Sequence, residues 1–325
     1  MKLRYLTHSL MIAALSTAIV SCGQKQATTS SSEGLAKIAC DESFERIMQQ
    51  EIEVYEYIYP KANILPYYIN EKAAIDSLLN LGTVRTAVIA RELNDKETAY
   101  LKSHKKNIRS KRIAVDAIAL IVNPANTIEL LSKKEIGEIL AGKLTKWNEI
   151  EPNRLGEIQV VFDHQGSSTV QYMRDSLLIG DKFGPNVHAQ NNNEEVFKAV
   201  ANNPNAIGVI GVSWISSDLA GRQLSTEELA DRSQQSDTTT LDFNQQVKVL
   251  KVRRDDEIQG CKPYQAYIFD GSYPLYRSIY MITVATGGTT ASGFFAFVTG
   301  FQGQKLIQMT GVLPATVTPR MVSLD

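Results

Sequence analysis

The sequence predicts an α/β protein built on mostly parallel sheets, and two stretches carry that prediction. In residues 158–178 the apolar run Ile158, Val160, Val161 and Phe162 stops at Asp163-His164-Gln165-Gly166. Ser167, Ser168 and Thr169 follow, and a helical pattern of Tyr172, Met173, Leu177 and Leu178 begins. Residues 38–55 repeat the plan: Ile38-Ala39-Cys40, the polar Asp41-Glu42-Ser43, then Phe44, Ile47, Met48, Ile52 and Tyr55 at helical spacing. Alternating strand, polar turn and helix is the pattern of parallel sheets, whose ligands collect at the carboxyl ends of strands. At 325 residues with 43% hydrophobic content the chain is long enough for two cores.

The first residues address the compartment. Lys2 and Arg4 precede an apolar segment over 10–20, too short for a membrane span and read as a signal peptide. Ile19-Val20-Ser21-Cys22 resembles a bacterial lipobox, so residues 1–22 are expected to be a lipoprotein signal peptide with its lipobox, whose Cys22 is lipidated and becomes the first mature residue; the alternative is an ordinary signal peptide with a chance cysteine. Residues 23–34 form a polar, flexible tether. These features predict a cell-envelope protein, anchored by lipid to a membrane and folded on its periplasmic or extracellular face. Cys40 and Cys261 remain; in an exported chain they either pair or stay free.

A formal net charge of −1, with no long basic block, argues against nucleic acid as the main partner. A small anion held by local dipoles is compatible with it. Ser167, Ser168 and Thr169 stand where a helix starts, and there free N–H groups and the helix dipole favour an anion. The same residues also serve as simple caps. Ser43 is a natural N-cap of the earlier unit, with Arg46 where a capping box needs Glu.

The intervening elements keep the alternation. Residues 64–69 read as a strand, 71–81 as a helix, and 86–90 as a buried strand delivering Arg91 at its end. Residues 113–122, the longest apolar run after the leader, predict one strand crossing between lobes, closed by Asn123-Pro124. A helix follows over 133–140. Gly137, Gly142 and Lys143 imitate a phosphate-binding P-loop, but Leu144 replaces its Ser or Thr, and Ile136, Ile139 and Leu140 mark a helix face. Further on come a helix near 193–200, a strand over 206–212, a polar segment over 225–240, a strand over 279–285 and a helix over 291–301.

In this order the pieces resemble the substrate-binding proteins of phosphate ABC transporters, the PstS-like branch of two-lobed periplasmic binding proteins. The resemblance rests on Val115-Asp116-Ala117-Ile118-Ala119 with Asn123-Pro124, Ile139-Leu140-Ala141-Gly142-Lys143 with Trp147, and Gly166-Ser167-Ser168-Thr169. Asn203-Pro204 with Ala206-Ile207-Gly208, and Tyr273-Pro274-Leu275 with Arg277, complete it. It implies a type II fold of two lobes, each a mixed, mostly parallel sheet flanked by helices. The expected division is 35–115 with 280–325 for the first lobe and 116–279 for the second. Ser43 and Phe44 match the family's hydroxyl and aromatic pair; Ser167, Ser168 and Thr169 match its Ser-Gly-Thr, after Gly166. The implied function is capture of phosphate or a similar oxyanion for an ABC permease, by a monomer without cofactor or metal.

Charge is where the chain departs from that pattern. Asp163 stands where family members often carry Arg, and Arg91 stands near where they carry Asp. The expectation is an exchange between lobes, with Arg91 supplying the cation and Asp163 orienting it or accepting the ligand's proton. A carboxylate acceptor would reject sulfate, which has no proton to give at neutral pH. Alternatively, Asp163 only caps its turn. An enzyme is disfavoured because His8, His104, His164 and His188 show no metal-ligand spacing and no GxSxG elbow occurs. The other alternative is a sensor or scaffold lipoprotein of the same fold that binds a different ligand or a protein.

Overall fold

The computed structural model describes residues 30–177, 179–180, 182–218, 224–234 and 241–316. The expected signal segment, Cys22 and most of the expected tether lie outside them.

The strands in chain order are β1 (Glu33–Asp41), β2 (Lys61–Ile69), β3 (Val84–Ile89), β4 (Arg109–Val122), β5 (Leu130–Ser132), β6 (Gln159–Phe162) and β7 (Val187–Ala189). After them come β8 (Ala206–Gly211), β9 (Ser216–Asp218), β10 (Leu241–Phe243), β11 (Lys248–Val249), β12 (Lys251–Arg253), β13 (Tyr276–Thr283) and β14 (Leu313–Pro314). One sheet has the order β2-β1-β3-β13-β4-β8-β6-β7. Its two flanks are parallel: β1 with β2 and β3, and β6 with β7 and β8. The centre is antiparallel, because β13 pairs with β3 and β4, and β4 with β8.

The strand β4 makes this a two-lobed α/β fold. Its first part, Arg109 to Ala117, pairs with β13, and its second part, Ile118 to Val122, pairs with β8. Every side chain from Ile113 to Val122 is buried, which explains the unbroken apolar run: a strand covered on both faces has no solvent side to alternate with. The strand β13 pairs with β3 and the first part of β4, and its pairing with β4 is irregular between Ile279 and Tyr280.

Helices follow the strands as the alternation requires. Glu45–Ile58 follows β1, Glu71–Leu79 follows β2, Asp95–Ser103 follows β3, and Ser168–Ser176 follows β6. The single helix expected over 291–301 is two, Thr290–Val298 and Phe301–Met309, broken at Thr299-Gly300. The helix Asp95–Ser103 buries only Leu101, so its sequence shows no apolar stripe. The false P-loop is the helix Lys133–Leu140, and Gly142 beyond it has φ +71, a left-handed turn residue that stops the helix. Cys40 and Cys261 are free thiols, Cys40 wholly buried. Among the described residues no helix is long and apolar enough to cross a membrane.

Candidate functional site

The two strand–turn–helix units bring their loops together. At the end of β1, Asp41 Oδ1 accepts the Ser43 N–H at 2.9 Å and so caps the short turn Glu42–Phe44. The helix Glu45–Ile58 then begins with Phe44 at its N-cap and no side-chain cap bond. Because Asp41 does the capping, the Ser43 hydroxyl is released from the role the sequence suggested for it. At the end of β6, the Ser167 hydroxyl is the N-cap of the helix Ser168–Ser176, accepting from Val170 N–H at 3.1 Å. It also donates to Asp163 Oδ1 at 2.6 Å. Capping falls to Ser167, which leaves Ser168 and Thr169 in the first turn, buried at 6% and 1% exposure.

These released hydroxyls meet. Ser43 Oγ lies 3.2 Å from Ser168 Oγ and 3.5 Å from Thr169 Oγ1, across 125 and 126 residues of chain. Arg277 reaches the same point from β13, donating from Nη1 to Ser168 Oγ at 2.7 Å. Its Nε and Nη2 donate to Asp116 Oδ2 at 3.3 and 3.2 Å. Asp116 and Arg277 are register partners on β4 and β13, just before β4 changes partner from β13 to β8. The guanidinium also lies 4.8 Å from the centre of the Phe44 ring. Gly211 at the end of β8 keeps room for this pair, since a Cβ there would meet Asp116 Oδ2 at 3.0 Å.

Three further contacts hold the first unit, two to the turn after β8 and one to the loop after β6. Trp214 Nε1 donates to the Ser43 carbonyl at 3.0 Å, and Arg46 donates to the Trp214 carbonyl at 3.0 Å. The His164 ring, through Nε2, contacts the Glu42 carboxylate. Replacing Trp214 by Phe is expected to keep the packing while leaving the Ser43 carbonyl unpaired. Urea unfolding should read a loss of about 1–3 kcal/mol; an unchanged midpoint would mean that this bond contributes nothing to the join.

The remaining expected site residues sit apart. Gly166 is on the exposed rim, its N–H donating to His164 Nδ1 at 3.2 Å. Arg91 is engaged elsewhere: its two Nη atoms bond the Glu97 carboxylate at 2.9 and 2.8 Å, and Nε lies 3.5 Å from Glu71. Its side chain is 41% exposed. Asp163 is fully buried beside Ser167, with Oδ2 unpartnered. Burial pushes its carboxyl up from the ordinary range, offset in part by the Ser167 hydroxyl, the His164 N–H and the charge of Arg277.

Arg277 and Trp214 were not singled out as site residues by the sequence. Arg277 did leave a signal: it is a lone charge inside an apolar strand, and Asp116 is a lone charge inside the longest apolar run. Two such residues of opposite sign predict a buried pair, because neither can be buried alone without a large penalty.

The sequence matches the family described as the PBP superfamily domain over residues 25–300, most of the chain. The chain belongs to the PBP superfamily. Among curated relatives of this superfamily chain, the phosphate-binding protein PstS 2 of Streptococcus agalactiae is 28% identical over 119 residues, 37% of this chain and 38% of the relative. The phosphate-binding protein PstS of Pseudomonas aeruginosa is 22% identical over 209 residues, covering 61% of this chain and 64% of the relative. The matched stretches thus span less than two thirds of these relatives' length. Among solved structures, one from Clostridium perfringens with bound phosphate aligns with a TM-score of 0.67 at 20% identity, over 87% of this chain and all of that one. An ABC-type phosphate transport receptor from Vibrio cholerae gives 0.62 at 20% identity, over 86% and 99%. At these identities the likeness shows the two-lobed fold.

Proposed function

We propose that this chain captures phosphate or a closely similar oxyanion between its lobes and passes it to an ABC permease in the cell envelope. The observation that carries the reading is the meeting of Ser43, Ser168 and Thr169 around the buried guanidinium of Arg277. Neutral hydroxyl donors and one cation, drawn from both lobes and held at the hinge strands, suit an anion that is bound without turnover. The names of the curated relatives and the phosphate in the Clostridium perfringens structure support the same choice. In this reading Arg277 is the cation, while Arg91 stays on the rim with Glu97; Ser167 and Gly166 shape the loop, and Phe44 backs the guanidinium. The lobes divide as 35–115 with 280–325 and 116–279, and the protein acts as a monomer.

Calorimetric titration of phosphate into protein that has been unfolded, stripped and refolded tests this reading. Ser168→Ala should weaken phosphate about 10- to 100-fold, the effect of one hydrogen bond to a charged ligand worth about 1.5–3 kcal/mol. Unchanged affinity in that variant, or no phosphate binding by the parent, would overturn the reading. The anchor is tested separately: Cys22→Ser should move the protein from the membrane fraction to the soluble one.

A further inference from the structure

The two strands at one end of the sheet carry an exposed apolar face that the hydroxyl site does not use. Register partners in β1 and β2 share a face: Leu35 with Asn63, Lys37 with Leu65, and Ala39 with Tyr67. The helix Glu71–Leu79 covers part of it, where Ala39 packs in a cluster with Ala74, Ile75 and Leu78. Leu35, Leu65 and Tyr67 lie outside that cluster, exposed at 58, 41 and 38%. Lys37 stands among them, with Nζ 6.0 Å from the centre of the Tyr67 ring. Lys61, at the start of β2, lies 4.0 Å from Glu33. Two leucines, a tyrosine with a polar tip, and lysines whose stems lie along the sheet while their charges reach outward suit the boundary between lipid and water.

The place of this face in the chain selects its occupant. Seven residues separate Cys22 from Ser30, where the described residues begin, a reach of at most about 28 Å whatever their course. Leu35 follows in the first strand, so the face stands beside the end of the fold that leads to the expected lipid. A second copy adding a strand is the poorer fit. The strand β2 ends the sheet, but Pro66 and the 76% exposed Lys61 are residues with which edge strands discourage a further strand. We propose that the face of Leu35, Leu65 and Tyr67 rests on the bilayer to which Cys22 is tied, with Lys37 reaching the headgroup phosphates. The inference rests on the anchor reading given above and goes beyond it: the lipid holds the protein at the membrane, and the patch decides which side of it lies down. A patch of three side chains buries too little area to hold a free protein on lipid. The tether removes that difficulty, because a surface within its reach is met as an intramolecular event.

The experiment uses the full lipid-anchored chain in vesicles of phosphatidylcholine and phosphatidylglycerol, with Leu65→Trp as the reporter and lipids brominated along their acyl chains as the quencher. The parent chain supplies the background of Trp147 and Trp214. The expected result is quenching of Leu65→Trp beyond that background, with none for Ile258→Trp, a 91% exposed position in the turn after β12. Adding Leu35→Ser and Tyr67→Ser to the reporter chain should lower the ratio of seated to lifted protein about tenfold, as the loss of two apolar contacts requires. Urea midpoints close to the parent's, expected for exposed positions, show that these variants fold. Protein that stays with the vesicles while Leu65→Trp is unquenched, or is quenched no more than Ile258→Trp, overturns the inference and leaves the anchor standing. A Leu65→Trp emission that shifts to the blue without quenching, and does so in proportion to protein density, also overturns it and gives the face to a second copy. Protein that does not stay with the vesicles removes both the anchor and the inference.

Discussion

Replacing Arg277 by Ala is expected to lower the unfolding free energy by about 3–5 kcal/mol, the usual effect of deleting one partner of a buried charge pair. Arg277 is 5% exposed and Asp116 fully buried. Burial already raises the Asp116 carboxyl, and Arg277 supplies the largest opposing influence. Without the guanidinium, Asp116 must either ionise in an apolar sheet or take a proton, and both are unfavourable. The variant also loses the contact with the Phe44 ring, worth about 0.5–2 kcal/mol, and the bond to Ser168. Urea denaturation reads the sum. Substituting Asp116 by Asn in the Arg277→Ala background should restore part of the loss, since it removes the uncompensated charge. Phosphate affinity should stay low in that double variant, because the cation is still missing. A single-variant loss under about 1 kcal/mol would mean that the pair is not desolvated as described.

That pair also shows how far the sequence could be read. The strand–turn–helix units were legible because each strand is a short apolar run that stops at polar residues, and each helix shows its buried face at 3.6-residue spacing. Ser43, Ser168 and Thr169, whose hydroxyls the fold brings together, stood out by their places at helix starts. The guanidinium that joins them did not. Arg91 stands at a strand end, where ligands collect, yet its partner Glu97 is the third residue of a helix whose weak stripe hid it. With the capping box of Asn94 and Glu97 in view, Arg91 reads as the neighbour of a carboxylate rather than of a ligand. Arg277 lies 109 residues from Ser168, and Trp214 lies 171 from Ser43. Local pattern carries no information over such distances; the complementary lone charges in two apolar strands were the available clue.

The helix Glu45–Ile58 contains a buried carboxyl of a different kind, and removing it is expected to stabilise the protein. Glu51 lies on the face that buries Ile47, Met48, Ile52 and Tyr55, is fully buried itself, and has neither carboxylate oxygen hydrogen-bonded. Burial alone raises its carboxyl well above the ordinary range. The folded chain therefore holds a proton that the unfolded chain releases from about pH 4.3 upward. With more protons bound in the folded state, stability falls as pH climbs from that value towards the raised one. Glu51→Leu, which fills the same space without polar atoms, should gain about 1–3 kcal/mol at pH 8, the penalty of an unpaired buried polar group. At pH 4 the gain should be smaller, because there the carboxyl is mostly neutral in both states and its unmet hydrogen bonds are the main term. Glu51→Gln should remove the pH dependence without all of the gain. Urea midpoints at the two pH values measure both effects. A Glu51→Leu protein less stable than the parent at pH 8 would show that this carboxylate is satisfied in solution.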